Sequence, residues 1–169
     1  MNHTSTTFDP VLDFWFGNSL ADSTTASERN NVWFGTDETF DQNIRNRFTA
    51  LIEHANDSKL DHWGHYPRGA LALILVLDQF PRNVYRGKPR AYAYDQSALS
   101  LAKKGITSCA DRELGIIERV FFYMPLEHTE NINDQDMSVA CFEKLHSEAP
   151  QKIKPLTDQA VQHAIAHRA

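Results

Sequence analysis

The residues with the strongest claim to chemistry lie between Asp78 and Asp95, where the chain carries no acid but holds Arg82, Arg86, Lys88 and Arg90, although its net charge is −5. Asn83 and Tyr85 stand among them. A guanidinium grips a carboxylate or phosphate through two parallel hydrogen bonds, so arginines gathered at a helix end predict a clamp for a small anionic ligand. In that reading Asp78, Arg82, Asn83 and Arg86 bind the ligand, and Asp78 either orients an arginine or serves as a second base. The opposing reading is a structural corner whose arginines pair with Asp78 and with distant acids, because ion-pair networks gather charge in the same way.

A second concentration follows in Met124-Pro-Leu-Glu127-His128-Thr-Glu130, directly after Phe121-Phe122-Tyr123. An imidazole flanked by carboxylates titrates near neutral pH, so His128, with Glu127 and Glu130 beside it, is the candidate catalytic group for general acid–base work. The same three residues offer metal ligands, but their spacing matches no zinc motif, and carboxylate-rich metal sites draw ligands from several helices. No metal site is therefore assigned. The structural alternative makes Glu127 and Glu130 the opening of the next helix, where acids suit the dipole, and pairs them with the arginines.

Weaker signals complete the set. His163 and His167 are four apart on one helix, but no Glu follows His163 to make a zinc-helix motif, and they read as a surface pair. His62 and His65 flank Trp63-Gly64 in a loop. No phosphate-binding glycine loop, dinucleotide turn or serine-hydrolase elbow occurs. Phe14, Trp15, Phe16, Trp33 and Phe34 read as packing groups rather than a ligand cage.

These residues need elements to position them. Asp9-Pro10 opens a short aromatic helix that runs to Gly17. Residues 18 to 31, rich in Ser, Thr, Asn and Asp, read as a surface loop. Phe40, Ile44, Phe48, Leu51, Ile52 and Ala55 step by three or four behind Asp37 and Glu38, which predicts an amphipathic helix. The segment Gly69 to Phe80 is apolar all round and leucine-rich, so it reads as a buried central helix that Pro81 stops. Asp95 caps a helix to Lys104 with Gly105 behind it, and Asp111 caps another to Tyr123 with Pro125 behind. Two more start near Asn133 and Thr157. The sum is an all-α chain of seven helices, and its short links imply antiparallel neighbours, in a bundle or in stacked hairpins.

Composition agrees and excludes much else. Ten Phe, three Trp and 41% hydrophobic residues argue for a packed core in 169 residues, a length typical of one domain. The acidic balance repels nucleic acid and anionic membrane, so neither is an expected partner. The longest apolar run, Gly69 to Leu77, is about half of the ~18 residues a membrane span needs. Cys109 and Cys141 are isolated from each other, and Met1 to Thr7 carries no leader pattern, so a reducing, cytoplasmic location is expected.

Several long stretches resemble one family: Asp9-Pro-Val-Leu-Asp-Phe-Trp-Phe-Gly17, Trp33-Phe34, Gly69 through Gly87, and Phe122 through Glu130 with Gln135. Together they are similar to the bacterial DUF924 family. The resemblance implies a right-handed stack of helical hairpins like that of tetratricopeptide repeats, whose own consensus is not legible in the chain, and it implies no established activity. Members of that family usually extend the last helix into a segment of the type Arg-Phe-Gly-Arg-Phe-Pro-His-Arg-Asn. This chain ends at Ala169 without a C-cap signal, so the resemblance implies a single helical domain over 1–169 lacking that segment. Two functions follow. One is a binder or enzyme for a small anionic ligand, using the arginines and Glu127-His128-Thr-Glu130. The other is a non-catalytic module that holds a peptide or protein on a concave helical face.

Overall fold

The structure, a computed structural model, describes residues 7–17 and 23–169, with the backbone alone for 23–27. The protein is all-α, and among the described residues the regular elements are all helical. The helices are α1 (Asp9–Phe16), α2 (Ser23–Phe34), α3 (Glu38–Asn56), α4 (Pro67–Ile74), α5 (Phe80–Val84), α6 (Asp95–Thr107), α7 (Ile116–Glu127), α8 (Ile132–Glu148) and α9 (Lys154–Arg168). Short 3-10 turns at Asp61–His65, Pro89–Tyr92 and Ala110–Glu113 connect them. No helix among the described residues is long and apolar enough to cross a membrane.

The central rod differs from expectation at its most informative point. Pro81 does not stop it, because Leu75–Gln79 forms a π-helical turn that joins α4 to α5 without a break. In that turn the Phe80 N–H bonds the Leu75 carbonyl, one residue further back than in an α-helix. The widened turn sets Pro81 at the start of a fresh α segment, where a missing N–H costs least. Ala70 through Leu77 are all buried, and the rod touches α1, α3, α6 and α7, so it forms the axis of the core.

Three other sequence readings change. Residues 18–22 fall outside the described set, but from Ser23 the predicted loop is the helix α2. Its side chains are tied to α1: Arg29 donates to the carbonyls of Phe14 and Trp15 at 2.7 and 2.9 Å, and the Trp33 indole donates to Trp15 at 3.0 Å. Tertiary anchoring overrides weak helix propensity there. Gly105 lies inside α6 rather than behind it, because a Cβ would stand 2.3 Å from the Phe122 ring, and its absence lets α6 close onto α7. Pro125 lies inside α7, which begins at Ile116 rather than behind an Asp111 cap. A proline in a helix costs about 3 kcal/mol, but Met124 and Leu126 on either side are buried, and burying each side chain returns roughly 1.5–3 kcal/mol.

An aromatic cluster seals the axis. The Trp15 ring centroid lies 5.9 Å from that of Phe80 and 5.4 Å from that of Phe121, and Phe48 lies 4.9 Å from Phe80. Consecutive helices α6, α7, α8 and α9 then pack in sequence against one another.

Candidate functional site

The site forms where the π turn and α5 pass the C-terminal end of α7. Asp78 is fully buried in the π turn, in the middle of an apolar rod. An isolated carboxylate there would cost several kcal/mol, so its partners decide whether it is tolerable. They are complete. The His128 ring donates from Nδ1 to Oδ1 at 2.7 Å, and the Gln79 amide donates to Oδ2 at 2.8 Å. Arg82, one turn on, donates to the Asp78 carbonyl at 2.8 Å and lies 3.3 Å from Oδ1.

Burial pushes the Asp78 carboxyl upward, but the His128 charge and hydrogen bond, with Arg82 and Gln79, outweigh it and leave Asp78 below the usual carboxylate range. The converse holds for His128. Burial resists its charge, yet the Asp78 carboxylate and the hydrogen bond between them prevail and raise its pKa. An ionised Asp78 has no proton to share, so Nδ1 carries the hydrogen and Nε2 is the nitrogen left to accept or deliver a proton. His128 also follows the last residue of α7, where the helix dipole favours a cation.

Glu127 is treated in the opposite way. It ends α7 rather than opening the next helix, its residue is 5% exposed, and Oε2 has no hydrogen-bond partner among the described residues. Oε1 lies 3.4 Å from Nε2 of His167. Burial raises the Glu127 carboxyl to about 7; His128 and Arg82 oppose the rise and Asp78 adds to it. Glu127 therefore exchanges its proton near neutral pH, next to a histidine whose orientation is fixed.

The arginines each hold an acid, as the structural reading of that strip requires, but the acids are not Glu127 and Glu130. Arg82 grips Asp95 with both terminal nitrogens at 2.7 and 2.9 Å, and Tyr92 lies under its guanidinium at 5.2 Å. Asp95 is thereby occupied, and its side chain does not cap α6. Arg86 donates to both oxygens of Asp41 at 2.9 and 3.1 Å, and Asn83 donates to the same carboxylate at 2.8 Å. Arg90 reaches Glu53 at 2.5 Å.

A cavity of about 270 Å³ opens over this corner, lined by Gln79, Arg82, Asn83, Arg86, Met124, Glu127 and His128. Asp78 lies beneath it, bonded to His128. Trp33 and Phe34 of α2 and His163 and His167 of α9 supply the far wall. Glu130 is exposed and lines a separate cleft with Asp95 and Gln96, which His128 also borders. Of the residues singled out from sequence, the structure thus gathers Asp78, Arg82, Asn83, Arg86, Glu127 and His128, and sets Glu130 on the other side of the imidazole.

The wall residues escaped the sequence reading. Trp33 and Phe34 serve the core and the cavity at once, and only tertiary packing shows the second role. His163 and His167 are exposed, as read, but their four-residue spacing turns both to the cavity, with the His163 ring 6.4 Å from Phe34. Burial, followed by the charges of His128 and His163, lowers the pKa of His167. Among the described residues no three His, Cys, Asp or Glu side chains converge closely enough to hold a metal ion.

A family model described as "Bacterial protein of unknown function (DUF924)" matches residues 11–169. A solved structure, that of the protein of unknown function ATU0120 from Agrobacterium tumefaciens, is similar with a TM-score of 0.76 and 31% identity, covering 98% of this chain and 82% of that one. No curated protein matches.

Proposed function

The chain belongs to the DUF924 family of bacterial proteins of unknown function, and we propose that it is a small-molecule enzyme whose cavity transfers protons through His128 and Glu127. The observation that carries this reading is the pairing of opposites: a buried, fully bonded Asp78 that orients His128, next to a buried Glu127 whose Oε2 has no partner among the described residues. Asp78, held ionised by its partners, and Glu127, whose carboxyl burial raises to about 7, are two carboxylates of opposite character on either side of one imidazole. His128 accepts a proton at Nε2, with Asp78 stabilising the imidazolium, and Glu127 in its protonated form delivers one from Oε2. Asp78 does not touch the ligand in this scheme; it is a positioning residue.

The ligand is small and carries an acid group. Arg86 keeps Nη1 outside its two bonds to Asp41, and the imidazoles of His163 and His167 add hydrogen-bonding groups to the lining. Trp33 and Phe34 give the far wall an apolar face for the rest of the ligand. The interaction-module reading has less behind it, since among the described residues the large exposed hydrophobics Tyr66, Tyr92, Ile132, Met137 and Ile165 are dispersed over four segments of the chain.

The test is a ligand-observed NMR screen of small carboxylates and phosphate monoesters against wild type, His128→Asn and Glu127→Gln. Compounds held by the cavity lose at least tenfold in affinity in both variants, and any turnover of them follows a pH profile with a limb near 7 in wild type. A set of binders unaffected by either substitution refutes the site.

A further inference from the structure

A second polar cavity, of about 370 Å³, lies between the Ala110–Glu113 turn, α7 and α8. It holds two buried groups with unmet hydrogen-bonding capacity. Asp111 is 7% exposed; its Oδ2 accepts from the Tyr123 hydroxyl at 2.6 Å, while Oδ1 has no partner among the described residues. Arg119 is bonded to Glu148 through Nη2 at 3.0 Å, but its buried Nε likewise has no partner. An unsatisfied buried acceptor and an unsatisfied buried donor each cost roughly 1–3 kcal/mol, so two on one wall need an explanation.

The rest of the lining says what would meet them. Arg112 and Lys144 are exposed on the rim and add two cations to Arg119, against the two acids Asp111 and Glu148. Glu148 already spends its charge on Arg119. What remains is one buried carboxylate oxygen without a partner among the described residues and a surplus of positive charge around it. A simple anion satisfies the rim but is repelled by Asp111; a simple amine satisfies Asp111 and is repelled by the rim. We propose that this cavity is a second ligand site, taking a small zwitterion of the α-amino acid type, with its ammonium on Asp111 Oδ1 and its carboxylate between Arg119 Nε and Lys144.

The volume suits such a molecule, since a water occupies about 30 Å³ and ligand cavities begin at roughly 300 Å³. The thiol of Cys141 also borders the space, but burial, then the Asp111 charge, pushes it up to about 11, so it stays protonated and the site binds rather than reacts. The site is separate in residues from the His128 cavity and does not depend on the chemistry proposed there.

Calorimetric titration of the full chain with L-glutamate, glutarate and butylamine tests the proposal. Glutamate is expected to bind at least tenfold more tightly than either probe, each of which carries charge of one sign only, to lose that advantage over glutarate in Asp111→Asn, and to weaken at least fivefold in Lys144→Met, an exposed position where folding is not at stake. Binding persists in Glu127→Gln, which separates this site from the first. Glutamate no tighter than glutarate, equal binding in Lys144→Met, or no binding of any probe at millimolar concentration, as for a cavity that holds water only, would each overturn it.

Discussion

The arginine strip of residues 82 to 90 and the Glu127-His128 turn meet in one cavity, yet they are opposite kinds of charge cluster. In the strip every guanidinium holds an acid brought from another segment: Asp95 for Arg82, Asp41 for Arg86, Glu53 for Arg90. Each guanidinium there is partnered where it stands, and the result is a brace between α3, α5 and α6. In the turn, charge is left adjustable. Among the described residues Glu127 has an oxygen with no partner and His128 is hydrogen-bonded through Nδ1 alone, and Glu127 holds its proton loosely at neutral pH. Counting partners, rather than charges, separates a structural network from a site poised for proton transfer.

Substitutions on either side sharpen that contrast, the largest effect first. Asp78→Ala strips the buried counter-charge from both His128 and Arg82, and breaking a buried pair by deleting one partner costs about 3–5 kcal/mol, so urea unfolding should register a loss of that size. A loss below about 1 kcal/mol would mean that Asp78 is not the hub of the corner.

Glu127→Gln acts in the other direction and depends on pH. An acid whose folded pKa is raised keeps a proton that the unfolded chain has already released, so stability falls as pH rises from about 4.5 through about 7. The glutamine variant therefore matches wild type near pH 4.5 and exceeds it by up to about 3 kcal/mol at pH 8, measured by denaturation at the two pH values. Raised stability at both pH values would contradict the buried, late-titrating carboxyl. The rise of His128 has its own window: its share of stability is full below the ordinary 6.5 and is lost as pH climbs through the higher folded value.

Asp41→Asn belongs to the brace. It weakens the hold on Arg86 and Asn83 and should cost about 1–3 kcal/mol while leaving the His128 titration, followed by NMR, where it was. A shifted His128 would show the two regions to be one network. Arg90→Ala, at an exposed pair, is expected to give the smallest change of the four, within the error of a thermal melt.

The sequence carried most of this arrangement, unevenly. Period and composition were enough for α3 and the buried rod, because a stripe or a full coat of apolar residues leaves few alternatives. Asp78, Arg82, Glu127 and His128 stood out because helix packing has no use for charge at such positions. The partners did not stand out. Asp41 and Glu53 are ordinary acids on a helix face, and nothing local marks them as the far ends of bonds spanning the fold. Helix α2 was hidden for a similar reason: its Ser, Thr and Asn residues favour loops, and what holds it helical is Arg29 and Trp33 reaching α1. Both prolines misled in one direction, since the rule that proline ends a helix is local and the burial that overrode it at Pro125 is not.

The π turn at Leu75–Gln79 amounts to a phase offset written into the backbone. Each residue of an α-helix turns the face by about 100°, so one residue absorbed in a wide turn rotates everything after it by that angle relative to an uninterrupted helix. With the offset, Phe80 points into the aromatic core while Arg82, Asn83 and Arg86 line the cavity. Remove it, and core and site would compete for the same side of the rod. The geometry of the site is thus held by a count of residues as much as by their kinds.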